Sequence, residues 1–189
     1  ALMDRRPVLC ASCHSSNALG EPGVAGIPSL SHAMHSKHAE EGGFPADTSG
    51  CYKCHPGPTT RCPRDVMSEE FSFTCINCHG TLSTVAQNPN PWLNEPRCDT
   101  CHGVFARQDQ GLYRLSKGHE GIYCEGCHDS THAIATSREG RDAIKFIALQ
   151  GHAGTLDTCT VCHITQPTGA FQHTMLSGSP QIYLPYLGR

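Results

Sequence analysis

The sequence predicts a mostly irregular chain with a few short α-helices and little or no β-structure, and three observations carry that expectation. Leu, Ile, Val and Phe make up about 17% of the 189 residues, the range in which chains often fail to build a side-chain core. Nineteen Gly and thirteen Pro are spread along the whole chain, and they interrupt any long helix or strand pattern before it develops. A formal net charge of -3 is too small to explain so thin an apolar supply as ordinary disorder. Something other than side chains must therefore fill the interior. Length suggests one domain or two small ones, and the reading adopted is a single domain over residues 1–175 followed by a tail at 176–189. No run of eighteen apolar residues occurs, so no membrane-spanning helix is expected. Asp4, Arg5 and Arg6 interrupt the start; no secretory leader is visible, and Ala1 reads as the start of a processed or trimmed product.

The cysteines say what the filler is. Twelve of the thirteen fall in six C-x-x-C pairs, and the residue after each pair is histidine. The motifs are Cys10-Cys13-His14, Cys51-Cys54-His55, Cys75-Cys78-His79, Cys98-Cys101-His102, Cys124-Cys127-His128 and Cys159-Cys162-His163. For one isolated copy a zinc site, a thioredoxin-type redox pair or a disulfide would compete. Zinc ribbons, however, use such pairs two at a time and give no reason for a histidine after every second cysteine. Two thiols that add to the vinyl groups of one haem, with an adjoining histidine on its iron, account for all three residues in every copy. The expected cofactors are six haem c groups. Haems this closely strung share one core, and their faces supply the apolar area that the side chains lack. Covalent attachment of this kind occurs outside the cytoplasm, so the chain is expected to be exported, to the cell surface or beyond rather than the periplasm.

Seven histidines lie outside the motifs: His32, His35, His38, His119, His132, His152 and His173. Six irons need six distal ligands, so bis-histidine coordination is expected throughout, with one histidine left over. Pro28 to Gly43 is the best helix candidate, with Ser29 or Ser31 as N-cap and Gly42 beyond its acidic end. On it His32, His35 and His38 recur every third residue and fan across a sector of roughly 120°, enough for two or three neighbouring haems. A solvated histidine-rich face is the plain alternative, as an ordinary surface histidine is for His119, His132, His152 and His173. Met34, Met67 and Met175 are substitute axial ligands or porphyrin-packing side chains. Cys62, the odd cysteine, reads as a buried free thiol before an intermolecular cross-link or an unusual ligand. Arg61, Arg64, Arg97, Arg107 and Lys117 are candidates to pair with haem propionates, or else are solvated.

SLSHAMHSKHA at 29–39, CYKCHPGPTTRCPRDVM at 51–67, PWLNEPRCDTCHG at 91–103 and LQGHAGTLDTCTVCH at 149–163 resemble elements of the multihaem c-type cytochromes that metal-reducing bacteria use for periplasmic and extracellular electron transfer. The resemblance implies bis-histidine haems stacked alternately parallel and T-shaped, in some cases running from subunit to subunit along a filament. It also implies distal roles for His32, His35, His38 and His152. The tail from Leu176 to Arg189 matches no such element. Saturated irons point to electron transfer rather than catalysis; a reductase of nitrite, hydroxylamine or a sulfur oxyanion would need an open iron, which nothing in the sequence marks. The expected partners are redox proteins or an extracellular acceptor, with no nucleic acid. End-to-end self-assembly through the apolar strip Ile182, Tyr183, Leu184, Tyr186 and Leu187 is a further expectation.

Overall fold

The computed structural model describes residues 7–106, 108–132, 137–168 and 173. The chain is mostly coil and short helix, as expected. Helices α1 (Leu30–Glu41), α2 (Thr48–Cys51), α3 (Gly57–Thr60), α4 (Cys75–His79) and α5 (Leu82–Gln87) are followed by α6 (Asp99–His102), α7 (Cys124–His128) and α8 (Ile144–Gln150). Single 3-10 turns and one π turn, Val66–Glu70, lie between them. Among the described residues the β-structure is one antiparallel pair, β1 (Lys117–Gly118) with β2 (Ile122–Tyr123). No helix among them is long and apolar enough to cross a membrane.

The chain divides into two compact units. The first runs to Arg61 and resumes at Phe73–Glu95; the second comprises Cys62–Ser72 and the chain from Pro96 onward. Each contains three of the six motifs.

In the first unit α1 begins where the sequence says it should. The Ser29 hydroxyl accepts the His32 N–H at 3.2 Å, satisfying one of the orphan donors of a helix start, and Gly42 is the C-cap. None of its residues is buried, because histidines occupy the spacings at which a packed helix would carry leucines. It lies against α5. Gly23, at φ 68°, runs against the first motif: a Cβ there would stand 2.3 Å from the Ser15 nitrogen, so only glycine lets the Val24 N–H reach the Cys13 carbonyl at 2.8 Å.

The second unit is held by charge. The Arg64 guanidinium forms two bonds of 2.7 Å to the Asp142 carboxylate. Asp65, 3% exposed, accepts the backbone N–H of Arg138, whose guanidinium also reaches Glu70. These contacts draw residues 62–72 onto a part of the chain some seventy residues later in sequence. Phe146, Tyr113 and Ala143 are buried in this unit, and Ala11 and Ala86 are buried in the first. Those five are the buried apolar side chains among the described residues, whereas Leu9, Leu19, Trp92, Tyr123, Ile144 and Ile164 are exposed. So small a side-chain interior agrees with the composition.

Candidate metal and cofactor sites

Each motif folds into a single helical turn. The histidine N–H donates to the carbonyl of the first cysteine at 2.9 Å for His14, His55 and His102 and at 2.8 Å for His163, while α4 and α7 are themselves the third and fifth motifs. In such a turn residues i, i+3 and i+4 share one face, so both thiols and the imidazole of a motif are presented together. The turn then stops at once. Gly80, Gly103 and Asp129 follow the third, fourth and fifth histidines at φ 75°, 61° and 64°, which no right-handed helix continues through, and Pro56 follows the second.

Three motif histidines face a second histidine. The ring centroids of His35 and His55 are 6.3 Å apart with planes at 16°. In the second unit His119 and His163 lie 5.8 Å apart at 75°, and His128 and His173 lie 5.8 Å apart at 80°. Metal–imidazole bonds of about 2.0–2.1 Å, with the ring centroid about 1.1 Å behind its nitrogen, put two rings on opposite sides of one metal at about 6.3 Å. The three centroid separations, 6.3, 5.8 and 5.8 Å, are at or somewhat below that value. Among the described residues no group of three or more His, Cys, Asp or Glu side chains gathers to hold a metal ion; the imidazoles come together in twos.

The second nitrogen of several rings is committed. Nδ1 of His14 lies 2.8 Å from the Pro28 carbonyl, that of His32 2.7 Å from Asn88 and that of His35 2.7 Å from Ser31. His38 makes the same contact with Met34 at 2.6 Å, and His152 with Ala153 at 3.0 Å. A carbonyl oxygen only accepts. Nδ1 therefore carries a proton, which in a neutral ring leaves the lone pair on Nε2, the arrangement typical of ligating histidines; at His152 that Nε2 lies 3.4 Å from the Thr158 hydroxyl and 3.5 Å from an Asp157 carboxylate oxygen. On α1 two of the acceptors, Ser31 and Met34, are carbonyls of the preceding turn, so the helix orients its own imidazoles.

Electrostatics point the same way. Burial, reinforced by the neighbouring His173 and His102, lowers the pKa of His128 to about 4, so this imidazole is neutral near pH 7. Burial also pushes up the thiols of Cys51, Cys98, Cys124 and Cys127; they stay protonated rather than act as exposed thiolates. Leu9 precedes Cys10, Ile122 and Tyr123 precede Cys124 and Ile164 follows His163, and all four are exposed. Apolar side chains thus border the motif turns without a protein surface to cover them. The donor set, the pair spacing and this apolar rim fit a flat, apolar, metal-centred group held by two thioethers.

Some expectations move. Arg64 is bound to Asp142, and Arg97 is held by Asp99 and by the Gln108 and Gln110 carbonyls, so both cations have acceptors within the protein. Lys117 stands over the Tyr123 ring. Cys62 has its sulfur 3.3 Å from Nδ1 of His132, a contact seventy residues long that no sequence pattern announces. Arg107, Met175 and the tail at 176–189 lie outside the described residues. No protein family, curated protein or solved structure matches the chain.

Proposed function

We propose that this protein is a hexahaem c-type cytochrome and that it carries electrons rather than catalysing a reaction. The observation that carries the reading is the meeting of a motif histidine with a second histidine at a one-metal separation, three times over, on turns that present two thiols beside the imidazole. Bound haem iron supplies one-electron exchange with no bond made or broken at the metal. The chain's own residues would hold it: the motif cysteines would attach it, and the motif histidines together with His32, His35, His38, His119, His173 and one further histidine would supply the iron ligands. Backbone carbonyls keep the ligating rings in one tautomer, which limits rearrangement when charge arrives. Two histidines per iron leave no open position for a substrate, and histidine in place of methionine keeps potentials low. The partners fitting such a carrier are redox proteins or an extracellular acceptor, and we place it among exported proteins.

Intact mass of the purified protein tests the reading. Six covalent haems, low-spin paramagnetic resonance signals and no binding of carbon monoxide after reduction are expected; zinc without haem, or a carbon monoxide-binding iron in the unaltered protein, would overturn it.

A further inference from the structure

Building on the haem reading, we infer that the motif at 124–128 is the bridge of the second unit. Cys124 faces the motif at 98–102 and Cys127 the motif at 159–163, so electrons crossing this unit pass through the haem that these two cysteines hold.

A run of hydrogen bonds ties the motif at 98–102 to Cys124. The Cys98 N–H donates to the Gln108 side-chain oxygen at 2.6 Å, and the Arg97 guanidinium holds the Gln108 and Gln110 carbonyls. The Ser116 hydroxyl donates to the Gln110 carbonyl at 3.2 Å, while the Ser116 carbonyl accepts the Cys124 N–H at 3.0 Å. Ser116 is 0% exposed, so this link lies inside the unit. Tyr113, also buried, belongs to the same region: its hydroxyl donates at 2.9 Å to the carbonyl of Asp129, directly after the motif. Burial, and after it the Cys124 and Cys98 thiols, raises the Tyr113 pKa. Burial and then Cys98 likewise raise the Cys124 thiol.

The other end of the motif meets the approach to Cys159. The Leu156 N–H donates to the Cys127 carbonyl at 3.0 Å, and Gly154 and Thr155 line a cavity together with His128. The link also runs in reverse. His119, whose ring centroid lies 5.8 Å from that of His163, stands in the 3-10 turn between β1 and β2, and β2 leads directly into Cys124. The iron of the last motif would thus take one ligand from its own turn and the other from the chain entering the motif at 124–128. Burial, and next the Cys162 thiol, pushes up the thiol of Cys127.

Both cysteines of a motif attach the same group. A motif whose first cysteine faces one neighbour and whose second faces another therefore sets its haem between theirs. Each transfer moves one electron from a ferrous to a ferric iron, with no proton or atom exchanged. Adjacent irons also feel each other's charge, so reducing one makes its neighbour harder to reduce.

The test uses full-length protein whose six haems have been verified by mass; their absence would defeat the underlying haem reading, and is seen before any variant is made. Both cysteines of one motif are then replaced, in Cys98→Ala with Cys101→Ala, Cys124→Ala with Cys127→Ala, and Cys159→Ala with Cys162→Ala. Each variant should keep five haems by mass and lose one set of haem methyl signals in nuclear magnetic resonance, which assigns that set. Redox titration followed on these signals should show that loss of the 124–128 haem shifts the midpoint potentials of both neighbours. Loss of either neighbour should shift the 124–128 haem and leave the other neighbour where it was. His119→Met retains every attachment site and keeps the inference testable if a cysteine variant fails to fold. Its 159–163 haem, with methionine for histidine, should be reduced first, and the midpoint of the 124–128 haem should fall while that of the 98–102 haem holds. Direct coupling between the 98–102 and 159–163 haems, a 124–128 haem whose loss moves fewer than two others, or an unmoved 124–128 haem in His119→Met would overturn the inference.

Discussion

The two units contain three Cys-x-x-Cys-His turns each, yet they place their histidines outside the motifs by opposite means. The first concentrates them on one twelve-residue helix, where His32, His35 and His38 need only helical geometry and Ser29 as a cap to fan apart. The second scatters them: His119 opens a 3-10 turn, His132 leans on a thiol from far upstream, His152 follows α8 and His173 lies close to the end of the described chain. Local order suffices in one case. In the other, ion pairs and a few buried side chains must assemble the site, and the second unit is where Tyr113, Ala143, Phe146 and Asp65 are buried. On the proposed haem reading one helix serves several irons and makes them depend on a single element, whereas dispersed ligands fail singly.

That contrast predicts its own largest test. Met34→Pro places proline inside α1, at a cost of about 3 kcal/mol to the helix, and should open up to three irons together. No single substitution in the second unit should open more than one. Carbon monoxide uptake by the reduced protein counts the opened irons, and a single opened iron in Met34→Pro would show that α1 does not act as a unit.

The ring planes should separate the units spectroscopically. Nearly parallel imidazoles, as at His35 and His55, split the iron d-orbitals, whereas the nearly perpendicular pairs His119–His163 and His128–His173 leave them close in energy. Paramagnetic resonance should therefore show strongly anisotropic low-spin signals that His119→Ala or His173→Ala diminishes, and ordinary rhombic signals that His35→Ala diminishes.

Asp142→Ala removes the carboxylate bound to Arg64, whose side chain is 20% exposed, and should cost about 2 kcal/mol. Hydrogen exchange should quicken around residues 62–72 and 137–146, with α1 unaffected. Acid should reproduce part of this effect. The Arg64 guanidinium holds Asp142 below its usual value of 3.8; at Asp65 burial opposes ionisation, but the Arg138 and Ser137 hydrogen bonds outweigh it and the pKa again falls. Carboxylates depressed on folding stabilise above their unfolded value and lose that contribution as pH falls through the folded one. The second unit should thus loosen below about pH 4, as protons replace the clamp; acid exchange that begins instead in α1 would contradict the assignment.

The smallest effect belongs to the cap. Ser29→Ala should cost about 1 kcal/mol and speed exchange of the His32 amide and its neighbours while leaving the second unit as it was.

These expectations divide along the line between sequence and tertiary structure. By itself the sequence determined everything whose cause lies within a few residues. The spacing Cys-x-x-Cys-His puts its three groups on one face of any helical turn, Ser29 and Gly42 bound α1, and the shortage of large apolar side chains forbids an ordinary core. Tertiary structure alone decided which rings meet, that His35 faces His55 and His173 faces His128, that the chain parts into two units, and that Cys62 lies against His132. No periodicity links such partners. Their encounter depends on where irregular chain is pinned, by Arg64 to Asp142 and by Asp65 to Arg138, and contacts made across seventy residues leave no local hydrogen-bonding or hydrophobic pattern from which they could be read.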